Sequence, residues 1–203
     1  MKYKWLNKKN NQKLIVFFNG WGMDESVVKH LSFDDYDVIM FYDYNSLDAD
    51  FDFKILNFYK KKYLVSWSMG VMIGTLFDLN YNSTTAINGT LKPIDDKYGI
   101  PLRVYTLTLK GFSPISSQKF IKNMFKEECD LPKVNRDFEN QKTELEALTH
   151  YESNMEFKYN RVIIASDDKI IPTKNQCAFW NREPNINSGH APFNNYTKWS
   201  ELL

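Results

Sequence analysis

Acyl transfer by a serine needs a nucleophile, a base to take its proton, an acid to orient that base, and donors for the oxyanion. Only three histidines could serve as the base. His30 sits in the first expected helix beside Lys29, His150 lies in a helical insertion, and both read as surface or packing residues. His190 lies in Gly189-His190-Ala191-Pro192, a loop able to present an imidazole at the edge of a sheet. The nucleophile is read from Ser66-Trp67-Ser68-Met69-Gly70, which follows the apolar run Tyr63 to Val65 and precedes small apolar residues at helical spacing. At so tight a strand-to-helix corner the residues two before and two after the serine must be small. Ser66 and Gly70 meet that demand, with serine standing where the usual pattern has its first glycine. Taken alone, such a serine is ordinarily a helix cap and such a histidine a loop residue with a local hydrogen bond, so the remaining parts decide.

The acid must follow a strand, and both Asp167 and Asp168 do, after Arg161 to Ala165. Asp168 is preferred because Asp168-x-x-x-Pro172 resembles the acid loop of many α/β-hydrolases; Asp167 stays open as the alternative. Asp95 and Asp96 read as solvated turn residues. The order serine, acid, histidine is that of α/β-hydrolases. For the oxyanion, the backbone N–H of Met69 follows the nucleophile at a helix start. A second N–H is expected from Trp21 in Asn19-Gly20-Trp21-Gly22, where two glycines let backbone approach a substrate.

These parts need a scaffold, and the chain supplies alternating strands and helices. Met1 to Leu6 reads as an edge strand and Lys13 to Phe18 (KLIVFF) as a strand buried on both faces. Strands are also expected at Tyr36 to Tyr42, before Ser68, at Thr84 to Ile87, at Arg161 to Ala165 and near Asn185 to Asn187. Helices are expected from Asp24 to about Leu31, Phe53 to Tyr59, Ser68 to about Leu79, Pro172 through Trp180 and Tyr196 to Leu203. The alternation predicts a mostly parallel sheet flanked by helices. From about 101 to 154 only helical patterns occur, with Phe120, Ile121, Met124 and Phe125 on one face and Leu145 and Leu148 marking a second helix. The expectation is one α/β domain over 1–203 with a helical insertion.

Composition narrows the partners. Hydrophobic residues at 43% against 25% charged place the chain with globular proteins. Lys+Arg of 26 against Asp+Glu of 25 leaves a formal net charge of +1, so no global field steers a polyanion and nucleic acid is not expected. Cys129 and Cys177 form neither a metal-ligand spacing nor a disulfide framework, which fits a reducing cytoplasm. Leu14 to Phe18 is too short for a signal core or a membrane span. A cytoplasmic monomer without metal or cofactor is the expectation.

Phe17-Phe-Asn-Gly-Trp-Gly-Met-Asp24, Phe41-Tyr-Asp-Tyr44, Val65-Ser-Trp-Ser-Met-Gly-Val71, Ile87-Asn-Gly-Thr90 and Asp168-Lys-Ile170 occur in order, followed by His190 and Trp199-Ser200. This set resembles the BioG-type pimeloyl-acyl-carrier-protein methyl ester esterases of biotin synthesis, least so in the helical insertion. The resemblance implies an α/β-hydrolase in which Ser68 attacks the ester of pimeloyl held on acyl carrier protein, His190 relays the proton, Asp168 stabilises the imidazolium, and the Trp21 and Met69 amides hold the oxyanion. It also implies that the insertion is a lid, with Lys119, Lys122 and Lys126 on one helical face, and Lys133 and Arg136 behind them, as the docking surface for an acidic carrier. Two other readings stand beside it. One is an esterase or thioesterase of different acyl substrates with the same triad. The other is a non-catalytic α/β binding module in which Ser68 only caps its helix.

Overall fold

The computed structural model describes residues 1–127 and 130–203, so Cys129 lies outside the described residues. Among the described residues six strands form one sheet in the order β1-β3-β2-β4-β5-β6: β1 Lys2–Asn7, β2 Lys13–Phe18, β3 Tyr36–Tyr42, β4 Lys61–Trp67, β5 Ser83–Ile87 and β6 Arg161–Ile163. β1 runs antiparallel to β3 along one edge, and every other pairing is parallel. β2 and β4 hold the centre, with Val16 facing Ile39 on one side and Leu64 on the other. Period-two alternation sends Leu14, Val16 and Phe18 to one face and Ile15 and Phe17 to the other. The first face packs on Leu64, Val71 and a run of stacked rings in which Phe41 lies on Phe18 and Phe53. On the second, Phe17 meets Phe193 and Trp199 edge-on. This double burial is why KLIVFF carries no polar alternation.

The helices are α1 Gly70–Gly74, α2 Leu102–Gly111, α3 Pro114–Asn123, α4 Phe138–Ala147 and α5 Thr173–Trp180. α2, α3 and α4 fall between β5 and β6, in the stretch that interrupts the alternation. Ser113 caps α3 with a reciprocal bond to Ser116, and Asp137 caps α4 through the Asn140 N–H.

Several expected helices and one strand are shorter or missing, for identifiable reasons. After Asp24 only a 3-10 turn forms, Glu25–Val27. The neighbouring β-branched Val27 and Val28 are stiff, and the Asp24 carboxylate is shared between the Ser26 and Asn135 N–H groups. The Phe53–Phe58 segment is likewise 3-10. α1 stops at Gly74 rather than Leu79, where Thr75 Oγ1 turns back onto the Met72 carbonyl at 2.7 Å. Near the C-terminus, 3-10 turns at Pro192–Asn195 and Trp199–Leu202 replace the helix. Extended backbone separates them because Ser32 N donates to Thr197 O and Trp199 N donates to Ser32 O. Beyond β6, Ile164 N donates to the Asn185 side-chain oxygen, and Asn185 Nδ2 donates to Val162 O. Backbone bonds from Asn185 N to Ile164 O and from Ser166 N to Ile186 O join the two segments, but the pairing goes no further than a single bridge between Ala165 and Ile186, so the strand expected at Asn185 to Asn187 is reduced to that bridge. No helix among the described residues is long and apolar enough to cross a membrane.

Candidate active site

The loops that follow β2, β4, β5 and β6 meet at the carboxyl edge of the sheet, where ligands of open α/β sheets bind. Ser68 terminates β4 with φ of +57°, in the left-handed region that a non-glycine residue occupies only when its surroundings impose it. They do so here. Ser68 N donates to Ile87 O at 2.9 Å, and Val71 N donates to Ser68 O at 3.0 Å. A Cβ added at Gly70 would lie 2.3 Å from the Phe18 carbonyl oxygen, so the helix start can abut β2 only without a side chain.

The serine in place of the first elbow glycine has a structural counterpart. Ser66 is wholly buried, and a Cβ added at Gly74 would lie 2.5 Å from its Oγ. The space released at Gly74 is the space Ser66 occupies. Gly74→Ala is therefore expected to lower unfolding stability by about 1–3 kcal/mol through overpacking. Ser66→Gly in the same chain should recover most of that loss. Urea unfolding of the two single variants and the double variant measures the coupling, and simple additivity would refute it.

Asp168 and His190 converge on Ser68. His190 Nδ1 donates to Asp168 Oδ2 at 2.7 Å, which leaves Nε2 free to accept from Ser68 Oγ at 2.8 Å. All three residues are buried. Asp168 Oδ1 accepts from Ile170 N and Ile171 N, and Oδ2 also accepts from Gln176 Nε2, so every bond to this carboxylate comes from a donor. Asp167 points away and pairs with Lys169 at 3.6 Å, its side chain 41% exposed. The backbone beside the imidazole is fixed separately: Trp67 Nε1 and Asn88 Nδ2 both donate to the His190 carbonyl. His30 Nε2 donates to the Phe193 carbonyl, and His150 is exposed, so neither joins the site.

Trp21 and Met69 line a cavity of about 160 Å³ together with Ser68, His190, Tyr105 and Phe120. Among the described residues, neither the Trp21 nor the Met69 backbone N–H donates to another protein group. Two unspent donors beside a serine hydroxyl are what a developing oxyanion requires. The arrangement can therefore pass a proton from hydroxyl to imidazole while holding new negative charge on oxygen. No cluster of metal-ligating side chains occurs among the described residues.

The basic residues of the insertion do not form the single face that helical spacing predicts. Lys119 and Lys122 are exposed on α3, but α3 ends at Asn123, and Lys126 lies beyond it with its ammonium on Asn187 Oδ1. Lys122 and Lys126 line a cleft of about 410 Å³ that shares Asn123 and Lys169 with the cavity. Arg136 is not on the surface at all. Its guanidinium is buried between Asp43, at 3.3 Å, and Glu144, at 2.8 Å. Burial pushes the Glu144 carboxyl above the usual carboxylate range, opposed by the Arg136 charge. At Asp43 burial acts in the same direction, but hydrogen bonds from Lys2 and Asn45 and the Arg136 charge outweigh it and hold the carboxyl low.

Sequence reasoning passed over Asn88, Gln176 and Glu144. Asn88 joins the ends of β5 and β6 to the histidine loop, accepting from Ala165 N and donating to Gly189 O and His190 O. The one available signal was Gln176, at eight residues from the acid on a helix entered through Pro172, a spacing that returns a side chain to the acid loop.

The family model described as "Pimeloyl-ACP methyl esterase BioG" matches residues 1–202. A Bacteroides fragilis protein named malonyl-[acyl-carrier protein] O-methyltransferase is 36% identical over 184 residues, covering 84% of this chain. This chain spans only 37% of the length of that relative. The crystal structure of BioG from Haemophilus influenzae superposes with a TM-score of 0.88 at 30% identity, covering 100% of this chain and 99% of that one. A hydrolase from Oleispira antarctica shares the α/β-hydrolase fold, with a TM-score of 0.60 at 12% identity over 98% of this chain and 90% of that one.

Proposed function

Because this chain belongs to the BioG family of pimeloyl-ACP methyl esterases, we propose that it hydrolyses the methyl ester of pimeloyl held on acyl carrier protein, releasing methanol and the free distal carboxylate. The observation that carries this reading is the hydrogen-bonded chain from Asp168 through His190 to Ser68 at a left-handed corner beside a partly open cavity. Ser68 Oγ attacks the ester carbonyl carbon as His190 Nε2 takes its proton. The Trp21 and Met69 amides hold the resulting oxyanion. Collapse breaks the bond to methoxide, which leaves as methanol with the proton from His190. Water, losing its proton to His190, then attacks the acyl-enzyme, and Ser68 departs with that proton. Asp168 keeps the imidazole in the working tautomer and stabilises its charged form.

The segment 101–154 acts as a lid in this reading, with Tyr105 and Phe120 forming apolar wall for the acyl chain. The Bacteroides relative's name describes methyl transfer to malonyl on acyl carrier protein, which supports the same class of carrier as the partner here. An acidic carrier would dock on Lys119, Lys122 and Lys126, two of which line the cleft that adjoins the cavity.

Intact-mass analysis of the carrier after incubation with the protein tests the reading. Loss of the ester methyl with the pimeloyl chain retained is expected; release of the whole acyl chain would identify a thioesterase instead. In the same assay, reversing the three lysines to glutamate should lower kcat/KM on the carrier-bound ester by roughly 5- to 50-fold. Turnover of free dimethyl pimelate should be unaltered, and an equal loss on both substrates would remove docking as the explanation.

A further inference from the structure

We infer that Glu144 is a positioning residue through which α4 holds the Trp21 amide in place. The inference rests on the esterase reading in one respect: the Asn19–Gly22 loop is an oxyanion loop only if Ser68 attacks. Glu144 reaches that loop along two routes. Its Oε2 accepts from Gly22 N at 3.2 Å, immediately after the Trp21 peptide. Its Oε1 accepts from Tyr44 N at 2.9 Å, and the Tyr44 hydroxyl in turn donates to Asn19 O at 2.7 Å, just before that peptide. A third tie comes from the same helix, where the Gln141 carbonyl accepts from Trp21 Nε1 at 2.8 Å.

The loop therefore has a fixed start, a fixed end and a fixed side chain, and the one N–H left over is the Trp21 amide. Glu144 is fully buried, and Arg136 Nη1 lies 2.8 Å from Oε2. Arg136 is oriented in turn by Asp43 and Asn140. An acceptor for two backbone donors from different loops needs two oxygens at a fixed separation, which a carboxylate supplies and an amide does not. A glutamine here must turn its NH2 toward either Tyr44 N or the pair formed by Gly22 N and Arg136, so one donor always loses its acceptor.

Glu144→Gln in the intact protein tests this. Hydrogen exchange of peptides covering 19–24 should quicken, with β2 and β4 unchanged. On p-nitrophenyl butyrate, with active sites counted by fluorophosphonate titration, kcat should fall about tenfold or more while KM stays within about twofold, a share of the 10²–10³ that one oxyanion donor supplies. Affinity for a trifluoromethyl ketone, which forms an oxyanion on Ser68, should fall in parallel. Asn140→Ala touches the same buried network but not the loop and should keep kcat within about twofold of wild type. If Glu144→Gln shows unchanged loop exchange, or wild-type kcat per titrated site with only a lower melting temperature, the inference is overturned. Should that variant not fold, Glu144→Gln with Arg136→Met removes the buried cation together with its partner and is judged by the same readouts. Wild-type protein inert toward every ester would sink the esterase reading, while exchange would still decide whether Glu144 holds the loop.

Discussion

Ser68→Ala is expected to abolish ester hydrolysis, with kcat falling by about 10⁶-fold, the scale on which loss of a triad serine is felt. What remains would come from the cavity and the unspent amides of Trp21 and Met69, which bind and polarise a carbonyl without attacking it. Turnover of the carrier-bound methyl ester and labelling by a fluorophosphonate should disappear together. Persistent labelling or turnover would locate the nucleophile elsewhere, and a wild type with neither would favour a binding module in which Ser68 only caps its helix. The same position makes a separate statement about stability. Ser68 holds φ of +57°, a conformation costing on the order of 1 kcal/mol or more for a residue with a Cβ. Ser68→Gly relieves that cost, so the variant should unfold at a higher temperature than wild type while being equally inactive. A lower melting temperature would mean that the hydroxyl's bond to His190 outweighs the backbone strain.

Asp168→Asn is expected to lower kcat by about 10⁴-fold, with the site otherwise assembled. The amide cannot sit comfortably in either orientation. At Oδ2 its NH2 would face Gln176 Nε2 and would force His190 into the tautomer whose Nε2 carries hydrogen toward Ser68. At Oδ1 it would face the N–H groups of Ile170 and Ile171. Either choice also leaves a buried donor unsatisfied, which should reduce stability by about 1–3 kcal/mol. Asp167→Asn, one residue away, should change kcat by less than about twofold, because its carboxylate faces Lys169 and solvent. Comparable losses in the two variants would reopen the choice of acid.

The parts of this protein legible in its sequence are those whose cause is local. KLIVFF reads as a central strand because burial on both faces leaves no room for polar alternation. Ser68 and Asp168 could be read because each follows a strand in a loop, and His190 because the chain has only three histidines to choose from. Arg136 and Glu144 were illegible for the opposite reason. An arginine and a glutamate at i and i+8 in a charged helical segment read as solvated side chains, and the groups they meet are distant in sequence: Asp43 beside Arg136, and the Gly22 and Tyr44 N–H groups on Glu144. Helix lengths failed in the same way. Apolar spacing at Tyr196 to Leu203 is compatible with a helix, but the backbone bonds between Ser32 and residues 197 and 199 hold 196–198 extended, and only the 3-10 turn Trp199–Leu202 follows. Propensity is a weak prior against long-range pairing of that kind.

The segment between β5 and β6 is fastened at more than one point to the groups proposed to react. Beyond the ties of α4 to the Trp21 loop, Ala191 N donates to the Met124 carbonyl at 2.9 Å, joining the end of α3 to the residue after His190. This bears on how such an esterase can be re-engineered. Where a cap is an independent module, grafting one from another hydrolase transplants specificity and leaves the rate alone. Here a graft that ignores Glu144, Gln141 and Met124 would disturb the proposed oxyanion donor and the proposed base together, so chimeras should lose turnover on every ester, including those too small to touch the transplanted part.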